Sequence, residues 1–319
     1  MKIAFHLDWL ASLKAYKDSS VAIMGAAQAA GHELYAIEPG GVFFDPQQGV
    51  CGEACAIELT TADRHGPGWF RAQARVRWRL RDFDVVLERK DPPFDLEYVY
   101  HTYLFERAEQ EGARVWNAPR AIRDHNEKLA LLRHLDLAPP TLVTRSAQRL
   151  REFVASERDV IFKPLDGMGG NGIFRVREGD PNLSVIIETL TDQGRRSIMA
   201  QRYLPEIAEG DKRILLIAGE VVPYALARIP LPGETRGNMA AGGRPEARPL
   251  SASDRRIAET LAARLWREGL FLVGLDVIGE RVTEINVTSP TGFVELREQT
   301  GFDAAALFVR KLEQTSGKK

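Results

Sequence analysis

The sequence predicts an α/β protein of two or three packed lobes, and three observations carry that prediction. The chain has 319 residues, enough to bury a substantial core and more than a single domain of ordinary size needs. Its first third alternates short apolar runs with helical patterns. Two later units place apolar strands around glycine-rich connections.

Ile3 to Leu7 reads as a buried strand, Ser19 to Ala30 as a helix closed by Gly31, and Leu34 to Ile37 as the next strand. Together they make a βαβ opening. Val85 to Leu87 predicts another short strand, Asp95 caps a helix running to Gly112, and Arg114 to Trp116 resumes extended structure. A first lobe of about 120 residues results. The pattern between Trp69 and Phe83 is weaker and is left open. Asp124 and Glu127 have the spacing of a capping box, so a helix is expected to begin there, carry Lys128 in its first turn and stop before Pro139 and Pro140. A second unit holds strands at Val160 to Lys163 and Ile173 to Val176 and a helix at Leu183 to Leu190. The last unit holds strands at Ile214 to Ile217, Phe271 to Ile278 and Val282 to Val287, with a helix presenting Ile257, Leu261 and Leu265 on one face. No internal repeat or low-complexity segment interrupts this order.

Charge excludes some functions. With 43 basic and 44 acidic residues, no overall field draws the chain to nucleic acid or an anionic membrane. His6, Asp8 and Lys14 break the apolar N-terminal stretch, which suits neither a signal peptide nor a membrane span, so a cytoplasmic setting is expected. Cys51 and Cys55 have only His65 nearby and do not complete a zinc pattern; two free thiols are expected. The run Arg71, Arg75, Arg77, Arg79 and Arg81 would in principle track phosphates, but a solvated helix face or a subunit contact is the expected reading.

Three constellations bear on chemistry. Lys163 ends a strand and leads through Pro164-Leu165-Asp166-Gly167-Met168-Gly169-Gly170-Asn171-Gly172. Glycines let successive N–H groups turn toward an anion, and the lysine adds a point charge for phosphate oxygens. An ordinary glycine-rich hairpin fits the same residues, and no Walker pattern is present. In the second, Asp276 precedes Glu284 and Asn286, which share a strand face. A three-residue turn through Gly279, Glu280 and Arg281, the expected geometry, sets Asp276 opposite Glu284; a two-residue turn would set it opposite Thr283. Hard oxygen ligands with room left for phosphate oxygens suit Mg²⁺. Asn286 runs into Val287-Thr288-Ser289-Pro290-Thr291-Gly292, which reads either as a holder for a substrate carboxylate or as a plain strand-ending turn. In the third, Arg228 to Gly243 reads as a mobile flap presenting arginines to an anionic substrate, or as a disordered surface loop.

Taken in order, Lys128, the Lys163 loop, Met199-Ala200-Gln201-Arg202-Tyr203-Leu204-Pro205 and the acids before Asn286 resemble the ATP-grasp fold. More specifically, Lys17-Asp18-Ser19-Ser20, Arg89-Lys90-Asp91-Pro92-Pro93-Phe94-Asp95, Lys163 to Gly170, Glu178 to Leu183, Gly233 to Asn238 and Val273 to Pro290 resemble bacterial glutathione synthetases over nearly the whole chain. Two of these matches lie outside the nucleotide machinery, which makes the resemblance specific. It implies a Rossmann-like N-terminal domain over 1–122 and an ATP-grasp domain over 123–319, the latter split into 123–203 and 204–319.

The resemblance also implies roles. Lys128, Lys163, Gly167, Gly169 and Gly170 would contact ATP phosphates. Gln201, Arg202, Tyr203 and Leu204 would receive adenine, Gln201 standing where several ATP-grasp relatives carry an acid, and Asp211 would take the ribose. Asp276, Glu284 and Asn286 would hold Mg²⁺, with Mn²⁺ a possible substitute. Arg213, Arg228, Arg236 and Ser289 would bind the peptide substrate or the transferring phosphoryl group, while Lys17, Asp18, Ser19, Ser20, Arg89, Asn286 and Thr291 would bind the peptide substrate. The implied reaction joins γ-glutamylcysteine to glycine with ATP through an acyl phosphate, in a homotetramer. Another carboxylate–amine ligase joining D-alanines or adding glutamate, or a noncatalytic ATP-binding module, would share the phosphate site without the Lys17 to Ser20 and Arg89 to Asp95 segments.

Overall fold

The computed structural model describes residues 1–60, 64–234, 236–237 and 242–317. Part of the expected flap, Thr235 and residues 238–241, lies outside them. Among the described residues three sheets form.

The first is laid down by β1 (Lys2–His6), α1 (Ser19–Ala29), β2 (Glu33–Asp45), β3 (Gly49–Leu59), β4 (Phe70–Ala72), β5 (Val76–Arg79), β6 (Val85–Glu88), α2 (Leu96–Gln110) and β7 (Val115–Trp116). Its order is β4-β3-β2-β1-β6-β7, with β5 also paired to β3. β1 lies parallel to both β2 and β6. The chain therefore moves one way from β1 and later returns on its other side, which opens a crevice beyond the carboxyl ends of β1 and β6. Asp18 caps α1 by accepting from the Val21 N–H, and Asp95 caps α2 through Tyr98. Of the arginine run, Arg71 lies on β4 and Arg77 and Arg79 on β5, where a helix face or a subunit contact was expected. Arg75, Arg77 and Arg79 alternate with Val76 and Trp78, the period of two that a strand requires, and they pair with Glu38, Asp45 and Asp82.

After α3 (Pro119–Asp124), the second sheet is built from β8 (Thr141–Thr144), α4 (Ala147–Glu157), β9 (Asp159–Pro164), β10 (Phe174–Arg177), α5 (Leu183–Leu190) and β11 (Ile198–Arg202), in the order β10-β9-β11-β8. The third contains β12 (Asp211–Ile217), β13 (Glu220–Ile229), β14 (Arg244–Pro249), α6 (Ala252–Arg267), β15 (Leu272–Ile278) and β16 (Arg281–Asn286), ordered β14-β13-β12-β15-β16. Ile257, Leu261 and Leu265 of α6 face its core as expected, and Ser251 with Asp254 makes the reciprocal cap that starts the helix. α7 (Phe293–Thr300) and α8 (Ala304–Ser316) return to the first sheet, and Phe308 and Leu312 join the core that contains Val21 and Met24.

The expected helix beginning at Asp124 is absent. Pro119 occupies the first turn of α3, which ends at Asp124, and Lys128 instead precedes a short 3-10 turn at Leu129–Arg133. Asn126 caps that turn by accepting from the N–H groups of Lys128 and Leu129. Glu127, free of any capping duty, turns its carboxylate to the chain beyond β16 and accepts from Val287 N, Thr288 N and Thr288 Oγ1 at 2.9, 3.2 and 2.9 Å.

The β15–β16 connection also differs from expectation. Ile278 pairs with Arg281, so the turn is the two residues Gly279 and Glu280. Yet Asp276 still stands opposite Glu284, because a bulge at Thr283 adds back the residue that the shorter turn removes. Val282 and Ile285 are both buried, an odd spacing that a regular strand would not allow on one face. Behind the hairpin, Gly274 has no space for a side chain: a Cβ there would lie 2.8 Å from both Arg213 Cδ and Pro290 Cβ. Gly274→Ala is expected to displace Arg213, to lower stability by roughly 1–3 kcal/mol, and to reduce turnover out of proportion to that loss. Urea unfolding alongside steady-state kinetics would check both effects.

Candidate active site

The three sheets surround a cleft of about 280 Å³. Its floor is the face of β12, β13, β15 and β16 that carries Asp211, Arg213, Arg228, Asp276, Glu284 and Asn286. Antiparallel pairing brings these residues together: Asp211 lies opposite Arg228, Arg213 opposite Asp276, and Asp276 opposite Glu284. One ladder of three cross-strand pairs therefore accounts for most of the polar floor.

Asp211, Arg213, Arg228 and Asp276 are buried, Glu284 and Asn286 are half-buried, and the charges largely neutralise one another. Arg213 Nε donates to Asp276 Oδ1 at 2.6 Å, and Arg228 Nη2 lies 2.8 Å from Asp276 Oδ2. Burial opposes ionisation of Asp276, but the two guanidinium groups outweigh it and hold the carboxyl below its usual range. Asp211 shares Arg228, yet burial raises its carboxyl to about 6, and its Oδ1 is buried without a partner among the described residues. Lys128 Nζ donates to Glu284 Oε1 at 2.8 Å and to Gly167 O at 2.7 Å. Burial acts against its charge and Glu284 more than restores it, so its ammonium titrates above the ordinary lysine value.

Lys163 is placed differently. At the end of β9 it reaches across to the third sheet, and its ammonium donates to the carbonyl of the bulged residue Thr283 at 3.0 Å. Burial lowers it to about 8, with Glu284 opposing and Lys128 reinforcing the shift. The loop that follows forms the roof. Gly169 and Gly170 both have positive φ, 64° and 85°, a conformation that side-chain-bearing residues rarely take twice in succession. Arg236 joins this loop by donating to Gly170 O at 3.3 Å. Arg228, expected as the first residue of the flap, belongs to β13, which fixes it in the floor.

At the far end, Gln201, Arg202, Tyr203 and Leu204 line the cleft. Gln201 donates to Thr141 Oγ1, and the Arg202 and Tyr203 N–H groups are taken by the carbonyls of Pro140 and Asp159. Arg175 lies over the Tyr203 ring, 3.4 Å from its centroid, and is held by both oxygens of Asp159. Nothing in the sequence singled out this backing of the tyrosine.

The N-terminal motifs stand one layer behind the wall. Lys17 is exposed, Asp18 caps α1, and Ser19 Oγ accepts from Gly292 N and Phe293 N at 3.2 and 3.4 Å. Arg89 donates to Ser20 Oγ at 3.0 Å and to Pro290 O at 3.2 Å, while its buried Nη1 has no partner among the described residues. These residues grip the loop whose Ser289 and Thr291 line the cleft. Asp91, Glu127, Thr283 and Thr288 also line it and were not among the residues singled out for the site from sequence. The reach from Glu127 to Thr288 crosses 161 positions of sequence, which no local pattern reveals.

The donor set fits a hard divalent cation. Two carboxylates and an amide face one space, and Asn286 Nδ2 donates to Gly274 O at 3.0 Å, which leaves Oδ1 as the available ligand atom. Among the described residues no cluster of three His, Cys, Asp or Glu side chains forms, consistent with an amide as the third oxygen. Cys51 and Cys55 are free and buried on β3. No helix among the described residues is long and apolar enough to cross a membrane.

Comparison with known proteins agrees with this geometry. The N-terminal domain of prokaryotic glutathione synthetases matches residues 1–123, and the ATP-grasp domain of the same family matches residues 127–301. The chain is 57% identical to the glutathione synthetase of Bordetella parapertussis over 318 residues, 99% of this chain and 100% of that one. It is 56% identical to the glutathione synthetase of Nitrosomonas europaea over 319 residues, 100% of this chain and 99% of that one. Among solved structures, the D-cycloserine synthetase DcsG superposes with a TM-score of 0.67 at 17% identity, covering 99% of this chain and 100% of that one. The ATP-grasp ligase PsnB, complexed with minimal precursor, Mg and ADP, superposes with a TM-score of 0.60 at 19% identity over 99% and 98% of the two chains. The two solved structures show the shared ATP-grasp fold, and the matches over the full length show that this chain belongs to the prokaryotic glutathione synthetase family.

Proposed function

We infer that the chain is an ATP-dependent ligase that joins the cysteinyl carboxylate of γ-glutamylcysteine to the amine of glycine, releasing ADP and phosphate. The observation that carries this reading is the ladder from Asp211 through Arg228, Arg213 and Asp276 to Glu284, facing Lys163 across one cleft. A carboxylate resists amine attack because its charge is delocalised and it lacks a leaving group. Transfer of the γ-phosphoryl group to a carboxylate oxygen, with ADP leaving, removes both obstacles. The amine then attacks the carbonyl carbon, loses a proton, and expels phosphate.

Each step concentrates negative charge, and the side chains are arranged to meet it. Lys128 and Lys163 would bind the phosphate chain beneath the turn at Gly169 and Gly170, with Gly167 closing its near side. Arg213, Arg228 and Arg236 would hold the phosphoryl group and the reacting carboxylate. Leu204 and Tyr203, with Arg202 and Gln201, would bound the adenine, and the unpartnered Asp211 Oδ1 would accept from the ribose. Asp276, Glu284 and Asn286 would hold Mg²⁺, or Mn²⁺ in its place, which when bound screens the phosphate oxygens and polarises the transferring phosphorus. Ser19, Ser20 and Arg89 would place Ser289 and Thr291 against the dipeptide, with Lys17 and Asp18 at the mouth. Arg236 and Gly237, the described part of the expected flap that lines the cleft, would help keep water from the acyl phosphate. The division at residue 123, with a second at 204, is supported by the sheet boundaries. A tetramer working in the cytoplasm completes the proposal.

Phosphate release is expected only when γ-glutamylcysteine and glycine are both present with ATP and Mg²⁺; release with the dipeptide absent, or a burst of phosphorylated protein, would contradict the mechanism. Glu284→Ala and Lys163→Ala are expected to lose nearly all turnover with the fold intact by circular dichroism. Arg236→Ala is expected to lower kcat while sparing ATP binding, separable by titration with a nonhydrolysable analogue.

The lowered titration of Lys163 adds a stability prediction. Its folded value, about 8, lies below the ordinary lysine value of 10.5. The folded state therefore binds the proton less readily than the unfolded chain. Its cost is fully present below about pH 8 and disappears as pH rises through 10.5. Lys163→Met is expected to stabilise the ligand-free protein at pH 7 by roughly 1–3 kcal/mol, taking 1.4 kcal/mol per pH unit and allowing for relaxation. Urea unfolding of both proteins should show the gap at pH 7 and little gap near pH 10.5; a less stable variant at pH 7 would overturn the argument.

A further inference from the structure

Five carboxylates line the cleft, and four of them are already engaged. Asp276 is held by Arg213 and Arg228, Asp211 by Arg228, and Glu284 by Lys128. Glu127 accepts from the donors of Val287 and Thr288. Asp91 alone has neither a cationic partner nor a set of N–H donors among the described residues. Its Oδ1 accepts from Ser289 Oγ at 2.5 Å, and its Oδ2 accepts no hydrogen bond among the described residues. It is an exposed residue on the wall of the cleft.

Asp91 is also firmly placed. Its N–H donates to Asp8 Oδ2 at 3.0 Å, so two segments that leave the carboxyl ends of neighbouring parallel strands β1 and β6 are tied together at the crevice between them. Ser289 approaches from the other side on the loop after β16. The carboxylate therefore sits where the first lobe meets the third sheet, and its free oxygen is available to a cation.

Given the ligase reading above, the substrates offer two amino groups. Glycine must lose its proton to attack, so a site that held it as a cation would oppose the reaction. The α-ammonium of the γ-glutamyl group stays charged throughout and lies a full residue away from the reacting carboxylate. Arg213, Arg228, Arg236 and Lys163 would repel it at the phosphate end. We propose that Asp91 binds the α-ammonium of the γ-glutamyl substrate through Oδ2 and so makes a free amino group a condition of recognition.

The test compares γ-glutamylcysteine with N-glutaryl-cysteine, which keeps both carboxylates and the thiol but lacks the α-ammonium. The native enzyme is expected to prefer γ-glutamylcysteine by roughly ten- to a hundredfold in kcat/KM, the range of one charge-assisted hydrogen bond. In Asp91→Asn that preference should fall to within a few-fold, through a lower rate on γ-glutamylcysteine and an unchanged one on the analogue, with KM for ATP and glycine unaltered. Ser289→Ala should slow both dipeptides and leave their ratio intact. Equal use of the two dipeptides by the native enzyme would overturn the proposal, even if the variant failed to fold. So would retention of the full preference by Asp91→Asn, a rise in glycine KM in place of the dipeptide effect, or collapse of the ratio in Ser289→Ala. In each of these cases phosphate release dependent on γ-glutamylcysteine and glycine would still stand, which separates this inference from the reaction itself.

Discussion

Carboxylates taken out of water persist as charges only where positive charge is brought to them, and that constraint orders the cleft. Asp276 and Glu284 face each other across β15 and β16, where like charges directly opposite are unfavourable. The fold answers from three directions. Arg213 arrives from β12, Arg228 from β13, and Lys128 from the turn before Leu129–Arg133. Arg213 and Arg228 belong to the third sheet itself, whereas Lys128 enters from outside it, so its ion pair with Glu284 ties the lobes together alongside the apolar packing. Gly274 belongs to the same arrangement, because the close passage of Arg213 leaves no room there for a Cβ.

The legible parts of the sequence were those written with one period at a time. β1, α1, β6, α2 and α6 carry regular apolar spacing and a capping residue, and each forms close to where that pattern puts it. The parts that misled were those where two signals competed. Asp124 and Glu127 have capping spacing, but Pro119 had already opened a helix upstream, and Glu127 gains three hydrogen bonds from a segment far along the chain. The arginine run drew attention to charge, while the alternation of Arg75, Arg77 and Arg79 with Val76 and Trp78 held the structural information.

The β15–β16 hairpin is a more instructive case, because its expected register was reached by a different route. A two-residue turn alone would have sent Glu284 to the opposite face. The bulge at Thr283 restores the pairing and does something a three-residue turn would not: it leaves the Thr283 carbonyl available to accept from Lys163. Bulges next to functional sites commonly re-aim a group, and here the group re-aimed is a backbone acceptor that tethers the lysine of the second sheet to the floor of the third. The odd spacing of Val282 and Ile285 was the trace of it in the sequence.

Attraction of a polyanion to this cleft does not come from a large surplus of charge. Six cationic side chains, Lys128, Lys163, Arg202, Arg213, Arg228 and Arg236, line it with five carboxylates, so the signs nearly cancel. What differs between the two sets is how firmly each cation is committed. Arg213 and Arg228 are bound to Asp276 by short, buried contacts and are poor candidates for release. Among the described residues Lys163 is bound only to a carbonyl, at 3.0 Å, and burial pushes its ammonium down to about 8. Lys128 shares one carboxylate oxygen with a loop carbonyl. An arriving phosphate chain therefore gains most by satisfying the two lysines, and a cation arriving with it replaces the charge that Lys128 gives to Glu284. In this account the resting site would store its affinity as the under-solvated charge of Lys163, with Arg213 and Arg228 holding the floor rigid while partners are exchanged above it.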